Sequence, residues 1–128
     1  MRYLITALLA LSLAAPSPVG ATTGFAARYR IGLMEKVAVK RGIAPVGCLV
    51  ASPFERIGTR LRITSLVNER QRTCTVVDVA HPRDRARIIE RGIVVELSHQ
   101  DARTLCGSVV DPPRQCRVVV KRIAGVVQ

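Results

Sequence analysis

Between residues 58 and 80 apolar and polar side chains alternate. Leu61 and Ile63 fall between Arg60, Arg62 and Thr64, and Cys74 and Val76 between Thr73, Thr75 and Val77. A period of two belongs to strands with unlike faces, and the polar break Asn68-Glu69-Arg70 joins the two arms as a hairpin. The second arm runs uncharged from Thr73 to Val77 and then meets Asp78, so an acid closes an apolar run at a strand end. Partial burial there would tune its ionisation. Residues 48–51 read as a short apolar strand ahead of a turn around Pro53, residues 93–97 as a buried strand, and residues 115–123 as a strand with Cys116, Val118 and Val120 on one face. Helical spacing appears at residues 31–42, where Leu33, Met34, Val37 and Ala38 share a side, Gly42 suits the cap and Pro45 blocks continuation. The charged connection 80–91 is expected to begin irregular and to close with a helical turn around Ile88-Ile89. Ser98-His99-Gln100-Asp101 has the form of a capping box opening a short helix through Leu105. No internal repeat, low-complexity tract or linker is evident. The pattern predicts an all-β fold: a compact barrel of mixed strand directions with one or two short helices.

The start of the chain has a different character. Arg2 precedes an apolar run over residues 4–15 that is too short to cross a bilayer, and Val19-Gly20-Ala21 supplies small residues for cleavage. This is the form of a secretory signal peptide over residues 1–21. Removing 21 of the 128 residues leaves 107, the size of one domain, with no further apolar stretch long enough to span a membrane. The expected division is a helical segment over residues 22–45 packed on a barrel over residues 46–124, in a secreted or periplasmic monomer. Cys48, Cys74, Cys106 and Cys116 all lie in the mature part, and an even count in an oxidising compartment favours disulfides. Three pairings are available. Cys48–Cys74 with Cys106–Cys116 is preferred, because the second pair brackets a proline-containing loop whose ends need holding. The chain-entropy relation gives about 3.6 and about 2.7 kcal/mol for the two loops. No metal site is expected, since the chain has no Cys-x-x-Cys pair and neither His81 nor His99 stands at ligand spacing from a cysteine. No cofactor is expected either.

Charge narrows the partners. The chain carries +11, of which Arg2 leaves with the leader, giving +10 on the mature domain. An exported body so basic concentrates polyanions, which outside the cytoplasm means cell-wall polymers, lipopolysaccharide or phospholipid headgroups. Arg60, Arg62, Arg83, Arg85 and Arg87 are the candidate binding residues. Only Phe25, Tyr29 and Phe54 are aromatic in the mature chain, too few for a base-stacking platform, so nucleic acid is not an expected partner.

Three segments carry a resemblance to a known family. Residues 57–66, Ile-Gly-Thr-Arg-Leu-Arg-Ile-Thr-Ser-Leu, resemble a strand that opens on Gly-Thr and alternates basic and apolar residues. Thr75-Val76-Val77-Asp78 resembles a strand ending in a conserved acid, and Val94-Val95-Glu96-Leu97-Ser98, running into a helix that ends at Cys106-Gly107, is similar to the segment that follows. Together they resemble the rare lipoprotein A-like double-psi β-barrel, a six-stranded barrel shared with expansins and some lytic transglycosylases. The resemblance implies a disulfide-stabilised, six-stranded double-psi barrel that acts on or binds peptidoglycan. It carries over one catalytic residue, Asp78. The family continues past its acid with Arg-Gly-Pro-Phe where this chain has Val79-Ala80-His81-Pro82, and the family's histidine position holds Ser52.

A lytic transglycosylase needs one carboxyl group that protonates the glycosidic oxygen and then, as a base, helps the muramic acid 6-hydroxyl attack its own anomeric carbon. Asp78 is the candidate, with Glu96 and Asp84 as supporting acids and His81 as a hydrogen-bond partner. An opposing pull comes from Arg83, Arg85 and Arg87, any of which would lower the pKa of Asp78 by pairing with it. The alternative is a non-catalytic cationic module that binds anionic envelope polymers through its arginines.

Overall fold

A computed structural model describes residues 20–30, 32–107 and 115–124. In chain order its elements are β1 (Ala21–Arg28), α1 (Leu33–Lys40), β2 (Cys48–Ser52), β3 (Arg60–Ser65), β4 (Gln71–Val79), α2 (Pro82–Glu90), β5 (Ile93–Leu97), α3 (His99–Cys106) and β6 (Gln115–Ala124). The six strands close into a barrel in the order β1-β5-β2-β4-β3-β6. β1 runs parallel to β5 and β2 parallel to β4, and the other four pairings are antiparallel.

That order conceals a duplication. Exchanging β1, α1, β2 and β3 for β4, α2, β5 and β6 reproduces every pairing and its direction, so two interlocked halves build the wall as in a double-psi barrel. The halves leave a trace in sequence that a search for regular repeats misses: α1 ends in Arg41-Gly42-Ile43 and α2 in Arg91-Gly92-Ile93. Both glycines take the left-handed conformation that stops a helix, at φ 74 and 73°.

The hairpin, the strands at 48, 93 and 115, the α1 helix and the capping box all form where the pattern places them. Ser98 Oγ accepts from Asp101 N at 3.2 Å and donates to Asp101 Oδ2 at 2.8 Å. Two expectations need correction. The barrel does not begin at residue 46, because Ala21–Arg28 is its sixth strand, inserted between β5 and β6. Its small residues give no period-two signal, and only Ala26 is fully buried. The connection after β4 does not begin irregular: the helical turn expected at Ile88-Ile89 is the end of a nine-residue helix, with Pro82 in its first turn and His81 as its cap, Nδ1 accepting from Arg83 N at 3.2 Å. The described helices therefore number three. The expected signal peptide lies outside the described residues save for Gly20 and Ala21, the latter opening β1.

Inward-facing residues fill the barrel: Val50, Leu61, Ile63, Val76, Val95, Leu97 and Val118 have no exposed surface, and Ala102 and Leu105 of α3 join the same core. Each such side chain contributes on the order of 1.5–3 kcal/mol of burial. A second cluster lies outside the wall, where Met34 and Ala38 of α1 cover Leu49, Ala51 and Val77. The disulfides are Cys48–Cys74, between register partners on β2 and β4, and Cys106–Cys116, which ties α3 to β6.

β1 fits because Gly24 lets it approach β5. A Cβ there would lie 2.5 Å from Val94 Cγ1 and 2.6 Å from the Gly92 carbonyl oxygen, and the latter is backbone that cannot turn aside. Gly24→Ala is expected to destabilise the domain by about 1–3 kcal/mol, read as a lower denaturation midpoint at unchanged slope.

Candidate functional site

Alternation along β4 would send Asp78 into the barrel beside Val76. A β-bulge prevents it. The β2–β4 register passes from Val50↔Val76 to Ala51↔Asp78, leaving Val77 as the extra residue. Val77 and Asp78 therefore both turn outward, Val77 beneath α1 and Asp78 beside it. On its other side Ala51 is in register with Glu96 of β5, and Glu96 in turn with Ala27 of β1. Two carboxyl-bearing residues thus flank one alanine across three strands, with backbones about 9.6 Å apart.

The alanines form the floor of an open cleft of about 760 Å³ on the outside of the barrel. Tyr29, Leu33 and Arg41 line one side and His81, Asp84, Arg87, Ile88 and Arg91 the other. Since α1 and α2 are the exchanged helices of the two halves, the cleft lies on the internal two-fold, and Arg41 and Arg91 are equivalent residues across it.

The carboxylates differ in what holds them. Tyr29 donates its phenol to Asp78 Oδ2 at 2.7 Å, and Arg41 Nη2 donates to Oδ1 at 3.3 Å. The Arg41 side chain is 42% exposed, so this pair is solvent-screened and weak. Tyr29 is pinned by its own backbone N–H, 2.7 Å from the Leu97 carbonyl oxygen, and burial followed by the bond to Asp78 pushes its phenol pKa up. No hydrogen bond or ion pair is found for the Glu96 side chain among the described residues. Burial raises its pKa, and the charges of Asp78 and then Asp84 raise it further. The acid kept protonated above the usual glutamate range is therefore Glu96.

The remaining sequence candidates separate. His81 and Asp84 line the cleft, with His81 engaged as a helix cap and Asp84 Oδ1 3.2 Å from Arg87 Nη2. Arg87 also lines it, whereas Arg83 and Arg85 do not; Arg85 Nε donates to the Pro53 carbonyl oxygen at 2.9 Å. The guanidinium on Asp78 comes from α1 rather than from the connection after β4. Arg60 and Arg62 stand on β3, away from the cleft. Ser52 is buried, and its Oγ accepts from Phe54 N at 3.1 Å and Glu55 N at 2.9 Å, so it serves to close a turn. Sequence reasoning missed Tyr29 and Arg41 as site residues. The Arg-Gly-Ile pair was the available signal for Arg41; nothing in the pattern around Tyr29 marks it.

Among the described residues no group of three His, Cys, Asp or Glu side chains could hold a metal ion, and no helix is long and apolar enough to cross a membrane. No protein-family model matches the chain, and no curated protein matches it.

Folding holds the Glu96 proton more tightly than the unfolded chain does. Stability from this group is therefore full below about pH 4.3, the ordinary glutamate value, and falls as pH rises through the elevated one. Glu96→Gln should raise the melting temperature at neutral pH, with the gain disappearing on acidification; equal melting curves at every pH would contradict the assignment.

Proposed function

We propose that this is an exported barrel that holds a peptidoglycan strand in the cleft between α1 and α2 and cleaves it as a lytic transglycosylase, with Glu96 as the proton donor. The carrying observation is the unequal pair: Glu96 held toward its protonated form, and Asp78 held by Tyr29 and Arg41 one strand beyond Ala51. Both face an open space large enough for a saccharide.

In this reading Glu96 gives its proton to the glycosidic oxygen as the bond from the anomeric carbon breaks. The carboxylate left behind then takes the proton of the muramic acid 6-hydroxyl as that oxygen bonds to the anomeric carbon, which closes the 1,6-anhydro ring and restores the acid. One residue serves both steps and water is not consumed, so the 5–9.5 Å carboxyl separations of hydrolases do not constrain the pair. Asp78 takes a supporting part: its charge raises the Glu96 pKa and favours positive charge developing on the sugar. The disulfides fit an oxidising compartment.

A second reading is favoured by Arg41, whose guanidinium reaches into the cleft, together with Arg30, Arg87 and Arg91 along its lining. These suit a non-catalytic module that binds an anionic envelope polymer.

Incubation with purified peptidoglycan separates the two. Catalysis predicts 1,6-anhydro-muropeptides by mass spectrometry, reduced about 10²–10⁴-fold in Glu96→Gln. Asp78→Asn should retain part of the activity with the alkaline limb of its pH profile moved to lower pH, since a charge that raised the Glu96 pKa is gone. A wild-type protein that releases no anhydro product but pelts down with the polymer in a salt-sensitive manner would leave the binding module in its place.

A further inference from the structure

On the side of the barrel opposite the cleft, no helix among the described residues covers the outward-facing side chains of β3 and β6; α3 meets these strands from the core. The centre of that side is the β3–β6 pair, diametrically across the wall from the β2–β5 pair that floors the cleft. We propose that this side is a docking surface for the anionic headgroups of a phospholipid bilayer.

Three observations carry the proposal. First, its charge is of one sign. Arg60 and Arg62 project outward from β3, and Lys121 of β6 is the register partner of Arg62. β1, β3 and β6 contain no acidic residue, nor does β4 before Asp78; Glu69, in the turn between β3 and β4, is the hairpin's one acid before that point. Arg60, Arg62 and Lys121 have no ion pair among the described residues, while Arg122, nearby in sequence, is neutralised by Glu55 at 2.9 Å. Second, the same side has an apolar end. Leu66 bonds to β6 through its backbone, N–H to the Arg117 carbonyl oxygen at 2.9 Å, and its side chain is 51% exposed; Val67 beside it is 61% exposed. On the other flank of Arg117 lies Phe25, with the guanidinium carbon 5.8 Å from the ring centroid. Third, the two characters are spatially ordered. Arg117 and Lys121 are four residues apart on one strand, about 13 Å, so the cationic end and the apolar end occupy one continuous surface.

Guanidinium and ammonium groups pair with headgroup phosphates, and exposed aliphatic side chains beside them enter the interface between headgroups and acyl chains. A soluble phosphate polymer would use the cations and give Leu66 and Val67 nothing to bury against, which is why a bilayer is the occupant. Docked this way, the protein presents its cleft away from the membrane. The inference does not depend on what the cleft does.

Sedimentation with vesicles of phosphatidylcholine alone, and of phosphatidylcholine mixed with phosphatidylglycerol, tests it. The protein should bind the mixed vesicles and not the neutral ones, and binding should weaken roughly fivefold for each cation removed in Arg60→Gln, Arg62→Gln and Lys121→Gln. Leu66→Ser with Val67→Ser should leave binding at low salt and reduce what persists at high salt. Glu96→Gln should bind as the parent does. Melting curves identify any variant that fails to fold, and for these the single Arg62→Gln change carries the comparison. The proposal is overturned if the cation variants bind undiminished, if Arg83→Gln with Arg87→Gln on α2 removes binding instead, if the Leu66 and Val67 changes have no effect at any salt concentration, or if soluble polyphosphate competes as effectively as vesicles.

Discussion

The parallel pairing of β2 with β4 is the contact on which the rest of the architecture depends. Parallel neighbours need a long crossover, and here β3 fills it, so making this one pair commits the chain to a third strand on the far side of β4. The Cys48–Cys74 disulfide joins the register partners at the start of the pair, and the bulge at Val77 shifts the register near its end. Between those two points the strands share the buried residues Val50 and Val76. Beyond the bulge the outward-facing side of the same strands becomes the floor of a cleft. A single extra residue thus converts a core strand into one that presents a carboxylate, and the apolar Val77 beneath α1 compensates for the break in the ladder.

The duplication accounts for where the cleft lies. Two halves related by exchange must meet along their axis, and on the outside of the wall that axis passes between α1 and α2. The symmetry is kept in the strands and in the Arg-Gly-Ile helix ends, and lost in the chemistry. β2 contributes Ala51 to the floor where β5 contributes Glu96, and β4 contributes Asp78 where β1 contributes Ala27 or Arg28. Partial burial and a second carboxylate across an alanine both oppose ionisation of Glu96, so the pair works against folding stability wherever Glu96 is charged.

Much of the fold was legible because amphipathic strands and helices declare themselves by period. Leu61 and Ile63 against Arg60 and Arg62, Val118 and Val120 against Arg117 and Lys121, and the Ser98 to Asp101 box each carried a local signal strong enough to survive tertiary context. β1 did not, because Ala-Thr-Thr-Gly-Phe-Ala-Ala has little to alternate; its place is set by partners about 70 and 95 residues away and by the space that Gly24 leaves. α2 was obscured by its charge: none of its residues is buried, so no apolar stripe marks it, and Pro82 with the His81 cap fixes its start. Asp78 was found as a strand-end acid. Its partners Tyr29 and Arg41 were not: Tyr29 follows the unread β1, and Arg41, at the end of a helix that was read, meets Asp78 across 37 residues of sequence, a contact no local period reports.

The site's charges have an order that composition could not reveal. Twenty lysines and arginines against nine acids suggest a uniformly basic body, yet three of the nine acids gather in one place. Asp78, Glu96 and Asp84 converge on one cleft, and the strands opposite carry cations almost alone. Burial first, and then the like charges of Asp78 and Asp84, lift the Glu96 proton affinity, and Arg41 and Arg87, each engaging one of the other two acids, limit the repulsion without reaching Glu96. A guanidinium standing over Glu96 as well would oppose that upward shift. The pairing of Arg41 with Asp78 and of Arg87 with Asp84 is thus what leaves Glu96 without a guanidinium of its own, and it follows from which residues the bulge and the duplication turn outward.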